Sequence, residues 1–145
     1  MDPMCKLILA IDVGDRTLAM AQRLVHQITR VLAPDCAPLF LSDGFREYFT
    51  AVVTHYGQSI QPERRQASGP RPKSRWMPQP RLLYAQVVKC YRRRRIVGVK
   101  HRVVFGAAEV IESILTKCGW KINTSFVERL NLELRQHVAA IGRRD

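Results

Sequence analysis

The sequence has no apolar run near the roughly 20 residues that cross a bilayer. Its N-terminal segment carries acids on both sides of a short apolar stretch, so we expect no secretory signal. The chain has four cysteines, Cys5, Cys36, Cys90 and Cys118. They form no C-x-x-C pair, and no histidine pair lies near them at the spacing of a zinc site. With 46% apolar residues, these absences favour a globular intracellular protein whose thiols are reduced.

Acidic side chains are almost absent from residues 61–105. This stretch has 13 Lys and Arg residues against Glu63 alone, which gives a net charge of +12. The whole chain also carries +12, so the remainder is neutral. Positive charge concentrated on an otherwise neutral body indicates a polyanionic partner, nucleic acid above all. A solubilising tail is the alternative, although such tails are usually terminal and this stretch is internal.

The first third of the chain has the pattern of an α/β domain. Its apolar spacing predicts, in order, a strand at Lys6–Asp12, a helix within 14–35, a strand at 36–42 and a helix at Phe45–Tyr56. Asp15 or Thr17 can cap the first helix, and Pro34 ends it. This alternation favours a parallel strand pair.

In the rest of the chain, the sequence pattern changes at residue 58 and again at residue 81. Residues 58–80 are proline-rich and have almost no periodicity, which predicts an exposed loop or a flexible insertion. Residues 81–105 indicate two strands around the basic turn Arg92–Arg95, a hairpin. A helix is then expected between Gly106 and Gly119, and a final helix from about Ser125.

Two acids have both a structural and a chemical interpretation. Asp43, in "LFLSDGFREY", follows an apolar strand, and Asp-Gly at this place is typical of a turn. Glu128 completes Ser125-x-x-Glu128, a helix capping box, but it also begins a polar stripe with Asn131 and Arg135. A carboxylate in the first turn of a helix, aimed at the end of a strand that bears another carboxylate, can hold a divalent cation.

Three segments resemble a known family. "LFLSDGFREY" resembles the segment around the second catalytic Asp of insertion-sequence transposases of the DDE superfamily. "NTSFVERLNLELRQHVAAIGRR" resembles their third segment, where a Glu-Arg-x-Asn helix supplies the catalytic Glu. "VGDRTLAMAQRLVHQI" resembles the Gly-x-Arg-Thr helix of one branch of this superfamily. Residues 57–105 match only loosely.

The resemblance implies a ribonuclease H-like fold, a mixed sheet flanked by helices, here incomplete and with a basic loop and hairpin insertion. It implies DNA cleavage and strand transfer with two Mg²⁺ or Mn²⁺ ions, with Asp43 and Glu128 as catalytic residues and metal ligands. The third ligand is open between Asp12 and Asp2, and the favoured interpretation is that the first acid is missing. We therefore expect a truncated, inactive copy.

The resemblance also divides the chain into residues 1–56, a basic insertion at 57–105, and helices at 106–145 that complete the domain. Its expected partner is DNA in a bacterial cytoplasm, near the nucleoid and without a membrane, and a homo-oligomer is left open. The DNA-contacting residues would be Arg92, Arg93, Arg94, Arg95, Arg129 and Arg135. Trp76 or Tyr91 could stack on an exposed base, or simply pack. The rival hypothesis is a non-catalytic basic nucleic-acid-binding module in which both acids are caps.

Overall fold

The computed structural model describes residues 2, 4–5, 7–64, 70–122 and 124–137. These residues form a mixed α/β structure. Its elements are α1 (Leu18–Val31), β1 (Leu39–Asp43), α2 (Arg46–Tyr56), β2 (Gly57–Ile60), β3 (Arg75–Pro78), β4 (Leu83–Arg92), β5 (Arg95–Phe105), α3 (Ala108–Lys117) and α4 (Ser125–His137).

The main sheet has three strands in the order β1-β4-β5. β1 and β4 are parallel, from Leu39 opposite Leu83 to Asp43 opposite Val87. β4 and β5 are antiparallel and form the expected hairpin around the basic turn. A parallel pair is present, but it joins β1 to β4 from the basic half of the chain and not the two strands expected in the first third. β4 is the central strand.

The sheet is covered on both faces because successive strand side chains alternate between them. Phe40 of β1 packs into a cluster formed with α1 and α2, whose buried members are Ala21, Val25, Ala51, Val52, Tyr56 and Leu82. Its neighbours Leu39 and Leu41 pack on the opposite face, against Ile111 and Leu115 of α3. A five-residue strand thus contributes to both cores.

The start of α1 agrees with one of the two predicted caps. The Thr17 hydroxyl accepts a hydrogen bond from the backbone N–H of Met20 at 3.3 Å, which satisfies a donor that the first turn leaves unpaired. The helix ends at Val31, three residues before Pro34.

The predicted strand at Lys6–Asp12 is wrong for the residues described there. Residues 7–12 form no strand, and Leu7, Ile8 and Ile11 are exposed; Lys6 lies outside the described residues. The apolar pattern suits a strand, but a strand also needs a neighbour for its backbone groups. β1 is hydrogen-bonded to β4 alone in the described sheet.

The loop predicted at 58–80 is wrong in part. Gly57–Ile60 and Arg75–Pro78 pair as an antiparallel two-stranded sheet, β2–β3. The indole Nε1 of Trp76 donates to the carbonyl of Val53 at 2.9 Å and ties this small sheet to α2. Short strands paired across a long connection leave little local periodicity in the sequence. Residues 65–69 of the predicted loop lie outside the described part.

Among the described helices, none combines the length and the apolar character needed to span a bilayer.

Candidate functional site

Asp43 lies at the carboxyl end of β1 and is bonded through both of its oxygens. Oδ1 accepts from the backbone N–H of Phe45 at 3.1 Å, which is the turn contact expected of Asp-Gly. Oδ2 accepts from the guanidinium of Arg16 at 2.9 Å. Asp43 therefore closes the turn after β1 and forms an ion pair.

Arg16 is a residue that the sequence reasoning did not single out. Besides its bond to Asp43, its guanidinium carbon lies 4.5 Å from the ring centroid of Phe45, a cation–π contact. Arg16 thus holds the segment before α1 against the turn after β1. The only signal for it was its place in the "VGDRT" segment.

Glu128, in the first turn of α4, is also bonded through both oxygens. Oε2 accepts from the ammonium of Lys89 at 2.7 Å, and Oε1 from the hydroxyl of Thr124 at 2.6 Å. The bond from Lys89, and then that from Thr124, lower the pKa of Glu128. The bond to Glu128 raises the pKa of Lys89, and the charge of Asp43 acts in the same direction. Lys89 of β4 therefore holds Glu128 at the start of α4.

The two candidates for the first acid have partners of their own. Asp12 accepts from Nε and Nη2 of Arg23 at 2.9 and 3.3 Å. Asp2 accepts from the thiol of Cys5 and the backbone N–H of Met4, and these bonds lower its pKa, the thiol more strongly.

These bonds are relevant to whether the acids could bind the Mg²⁺ or Mn²⁺ ions that the resemblance implies. Within the described ranges, no three Asp, Glu, His or Cys side chains are grouped so that they could hold a metal ion. The oxygens of Asp43 and Glu128 already accept bonds from cations and from N–H or O–H donors. The arrangement does not fit a two-metal centre, and the metal remains a prediction from resemblance.

The β4–β5 hairpin, which we call the ribbon, has two chemically different faces. Directly opposed residues share a face, and faces alternate along each strand. One face carries the pairs Gln86–Arg102, Val88–Lys100, Cys90–Gly98 and Arg92–Arg95. The other carries the pairs Val87–His101, Lys89–Val99 and Tyr91–Ile96. Residues 91–102 are all exposed, so the first face forms an accessible cationic stripe.

The turn of the ribbon consists of Arg93 and Arg94, with φ of 47° and 64°. A two-residue hairpin turn with positive φ at both positions usually carries Asn-Gly or Asp-Gly, since a β-carbon is disfavoured there. Two arginines at this place put positive charge at the tip in spite of a conformational cost.

The other predicted contact residues are distributed differently. Arg129 and Arg135 are exposed on α4. Trp76 is bonded to the body through its indole nitrogen. Tyr91 is 63% exposed but lies on the ribbon face opposite the cationic stripe. Only the four arginines Arg92–Arg95 lie together.

A cavity of about 220 Å³ opens between α1, α2, β1 and α4. At its wall the hydroxyl of Tyr84 lies 2.8 Å from that of Ser42 and accepts from the side-chain amide of Gln86 at 2.7 Å. Burial raises the pKa of Tyr84. The sequence reasoning did not find this network, since its members come from two strands that are distant in the chain.

A scan against protein-family models, a search of curated proteins and a search of solved structures each found no match to this chain.

Proposed function

We propose that this protein binds nucleic acid through the cationic face of the ribbon. The observation that carries the proposal is the register of β4 and β5, which aligns Arg92, Arg95, Lys100 and Arg102 on one exposed face. Arg93 and Arg94 extend this charge around the tip. A narrow, exposed strip of fixed cations displaces counterions from a phosphate backbone, which is the main source of affinity in such complexes.

The sequence around the ribbon also contains almost no acidic residues that could neutralise its positive charges. Glu63 is the single acid within residues 61–105. Glu128 is bonded to Lys89, which lies on the opposite face of β4 from Arg92. Arginine offers a planar fork of donors that matches phosphate, so four in a row favour a phosphate ligand over a diffuse solubilising role.

The test is the salt dependence of binding to a short labelled DNA duplex, measured by fluorescence anisotropy between about 50 and about 300 mM salt. Replacing Arg92–Arg95 by Ala should make the log–log slope shallower by about 3 to 4, roughly one for each lost phosphate contact. Lys100→Ala/Arg102→Ala should remove about 2 more.

The matched control is Arg30→Ala/Lys117→Ala, which removes two exposed cations outside the ribbon. This control should keep the wild-type slope. An unchanged slope in the ribbon variants, or an equal loss in the control, would overturn the proposal.

A second candidate is that the chain is an inactive copy of a DDE-type transposase catalytic domain. The specific observation in its favour is that one cavity is lined both by Asp43, at the end of β1, and by Thr124, whose hydroxyl is bonded to Glu128 in the first turn of α4. This candidate includes DNA binding, so the two proposals differ only in ancestry and chemistry.

Nicking of supercoiled plasmid in Mn²⁺ tests whether the second candidate lacks catalysis, with Asp43→Asn and Glu128→Gln measured beside the wild type. We expect no nicking by folded, DNA-binding protein, since the arrangement does not fit a metal centre. Nicking that disappears in both variants would show a working nuclease site and would refute the inactive-copy proposal.

A further inference from the structure

Two segments of the described chain each carry several exposed apolar side chains close together. Residues 7–13 are one segment, with Leu7, Ile8, Ile11 and Val13 between 40% and 64% exposed. β5 is the other, where Ile96, Val97 and Val99 are 53%, 62% and 52% exposed. Large apolar groups gathered on a surface usually mark a contact with another molecule.

Both segments also have backbone N–H and C=O groups that are available for pairing with another strand. β5 has 11 residues and lies at the edge of the sheet, so it is hydrogen-bonded to β4 on one side only. Within the described part of the chain, residues 8–13 make no backbone–backbone hydrogen bond. A long exposed edge strand is a template for an added strand, and an apolar extended segment can supply one.

If residues 7–13 paired with β5 as a strand, the side chains on each face of the pair would be compatible. In an extended strand Leu7, Leu9 and Ile11 point to one side. These apolar side chains would lie beside Ile96 and Val99 on one face of the ribbon. The alternate residues Ile8, Ala10 and Asp12 would share the face of Lys100 and Arg102, where an acid is favourable.

We propose that residues 7–12 of one copy of this chain add as a strand to the free edge of β5 in a second copy, and that the exchange is reciprocal. Asp12 then exchanges Arg23 of its own copy for Lys100 or Arg102 of the second copy. A closed, two-fold pair then contains two such contacts. Each contact covers both exposed apolar segments at once.

Two alternatives fit the charges and contacts less well. Pairing of β5 with a second β5 would bring Arg95, Lys100 and Arg102 of both strands together, which like charges oppose. Pairing within one molecule is not the arrangement described, in which β5 pairs with β4 only. In the described arrangement, residues 7–13 are held to α1 by the ion pair between Arg23 and Asp12.

The inference does not depend on the proposed function. Strand addition uses the edge of β5, whereas nucleic-acid binding uses the face of the ribbon. A dimer would place two cationic faces on one particle and leave both accessible.

The first measurement is sedimentation velocity of nucleic-acid-free protein over about a hundredfold range of concentration, since dimers dissociate on dilution. We expect a monomer–dimer equilibrium for the wild type. Ala10→Pro removes a backbone N–H from the donor segment, which carries no regular structure to disrupt. It should shift the chain to monomer.

The acceptor is altered with Val97→Asp/Val99→Asp, at exposed positions where the fold loses little. The new acids remove the apolar neighbours of the incoming strand and place charge beside its apolar side chains. A circular-dichroism melt close to that of the wild type checks that the variant is folded. This variant should also be monomeric.

Mixing the two variants gives the decisive result. The Val97→Asp/Val99→Asp copy retains its donor segment and the Ala10→Pro copy retains its β5 edge. One of the two contacts can therefore form between them. We expect a weak heterodimer in the mixture although neither variant self-associates. A wild type that stays monomeric, variants that still dimerise, or a mixture without a heterodimer would each overturn the inference.

Discussion

At the scale of single residues, Asp43 makes the turn contact that the sequence predicts and an ion pair that it does not predict. Its Oδ1 accepts from the Phe45 N–H within the turn, and its Oδ2 pairs with Arg16. Both side chains of the ion pair are about half exposed, so water screens the pair and its contribution is modest. The turn contact is local and does not depend on a charge.

Substitutions at Asp43 separate these roles. Asp43→Asn keeps an oxygen for the Phe45 N–H and loses the ion pair, so it should cost at most about 1 kcal/mol in the free energy of unfolding. Asp43→Ala loses both contacts and should cost about 1 to 2 kcal/mol. Urea unfolding measures both. If the two variants are equally destabilised, the ion pair rather than the turn is the important contact.

Arg93 and Arg94 illustrate a conflict between local conformation and charge. Arg93→Asn/Arg94→Gly supplies the residues that a positive-φ turn prefers, and should raise the free energy of unfolding by about 1 kcal/mol. The same change should make the salt slope of DNA binding shallower by about 2.

Arg93→Lys/Arg94→Lys is the matched control, because it keeps both the charge and the strain. We expect its stability and its salt slope to stay close to those of the wild type. A loss of stability in the Asn-Gly variant would mean that the two arginines make contacts that stabilise the tip.

At the scale of elements, the packing of α1 against α2 contains a histidine pair. The ring centroids of His26 and His55 are 5.5 Å apart. Burial, and then the charge of His26, lower the pKa of His55, while a bond to the carbonyl of Gln22 acts in the opposite direction. The folded protein therefore takes up a proton on His55 less readily than the unfolded chain.

This pKa shift predicts the direction of a pH effect. The unfolded chain binds more protons below its ordinary pKa of 6.5, so stability should be greatest above that value. It should fall as the pH decreases through 6.5, and level off below the lowered pKa of the folded state. Urea midpoints measured between about pH 5 and about pH 8 test this.

His55→Gln is the control, since it removes the group whose pKa is shifted. Glu128 has a lowered pKa, so its contribution is present above its ordinary value of 4.5 and is lost only as the pH falls through the lowered pKa. A His55→Gln profile as steep as that of the wild type would assign the effect to another group.

At the scale of the whole molecule, the sheet joins segments that are distant along the chain. β1 at Leu39–Asp43 pairs with β4 at Leu83–Arg92, and the connection between them includes α2 and the β2–β3 sheet. The two apolar clusters lie on opposite faces of these few strands, so both depend on the same sheet. We therefore expect the described body to unfold as one cooperative unit.

Ile111→Ala tests this expectation. Ile111 is fully buried between α3 and Ala85 of β4, and its truncation should cost about 2 to 5 kcal/mol. Urea unfolding should be followed by far-ultraviolet circular dichroism and by tryptophan fluorescence. Coincident transitions, both shifted to lower urea, are expected. Separate transitions would show that α3 and its cluster unfold independently of the α1–α2 side.

The sequence by itself determined the local features, because these depend on neighbouring residues. The helical spacing before Pro34, a cap at Asp15 or Thr17 and the hairpin around Arg92–Arg95 follow from periodicity and turn chemistry. The structure has all three, with Thr17 as the cap. The segregation of charge into residues 61–105 is likewise a property of the sequence. The transposase resemblance and its metal site stay predictions.

Only the tertiary structure decided which residues become partners. The apolar pattern of residues 7–12 allowed a strand, but pairing needs an edge that the described fold does not bring to it. The Asp43–Arg16 and Glu128–Lys89 bonds join residues 27 and 39 positions apart, and no local pattern encodes such distances. The alignment of basic side chains on one ribbon face depends on the cross-strand register with its two irregularities, which packing fixes and composition does not.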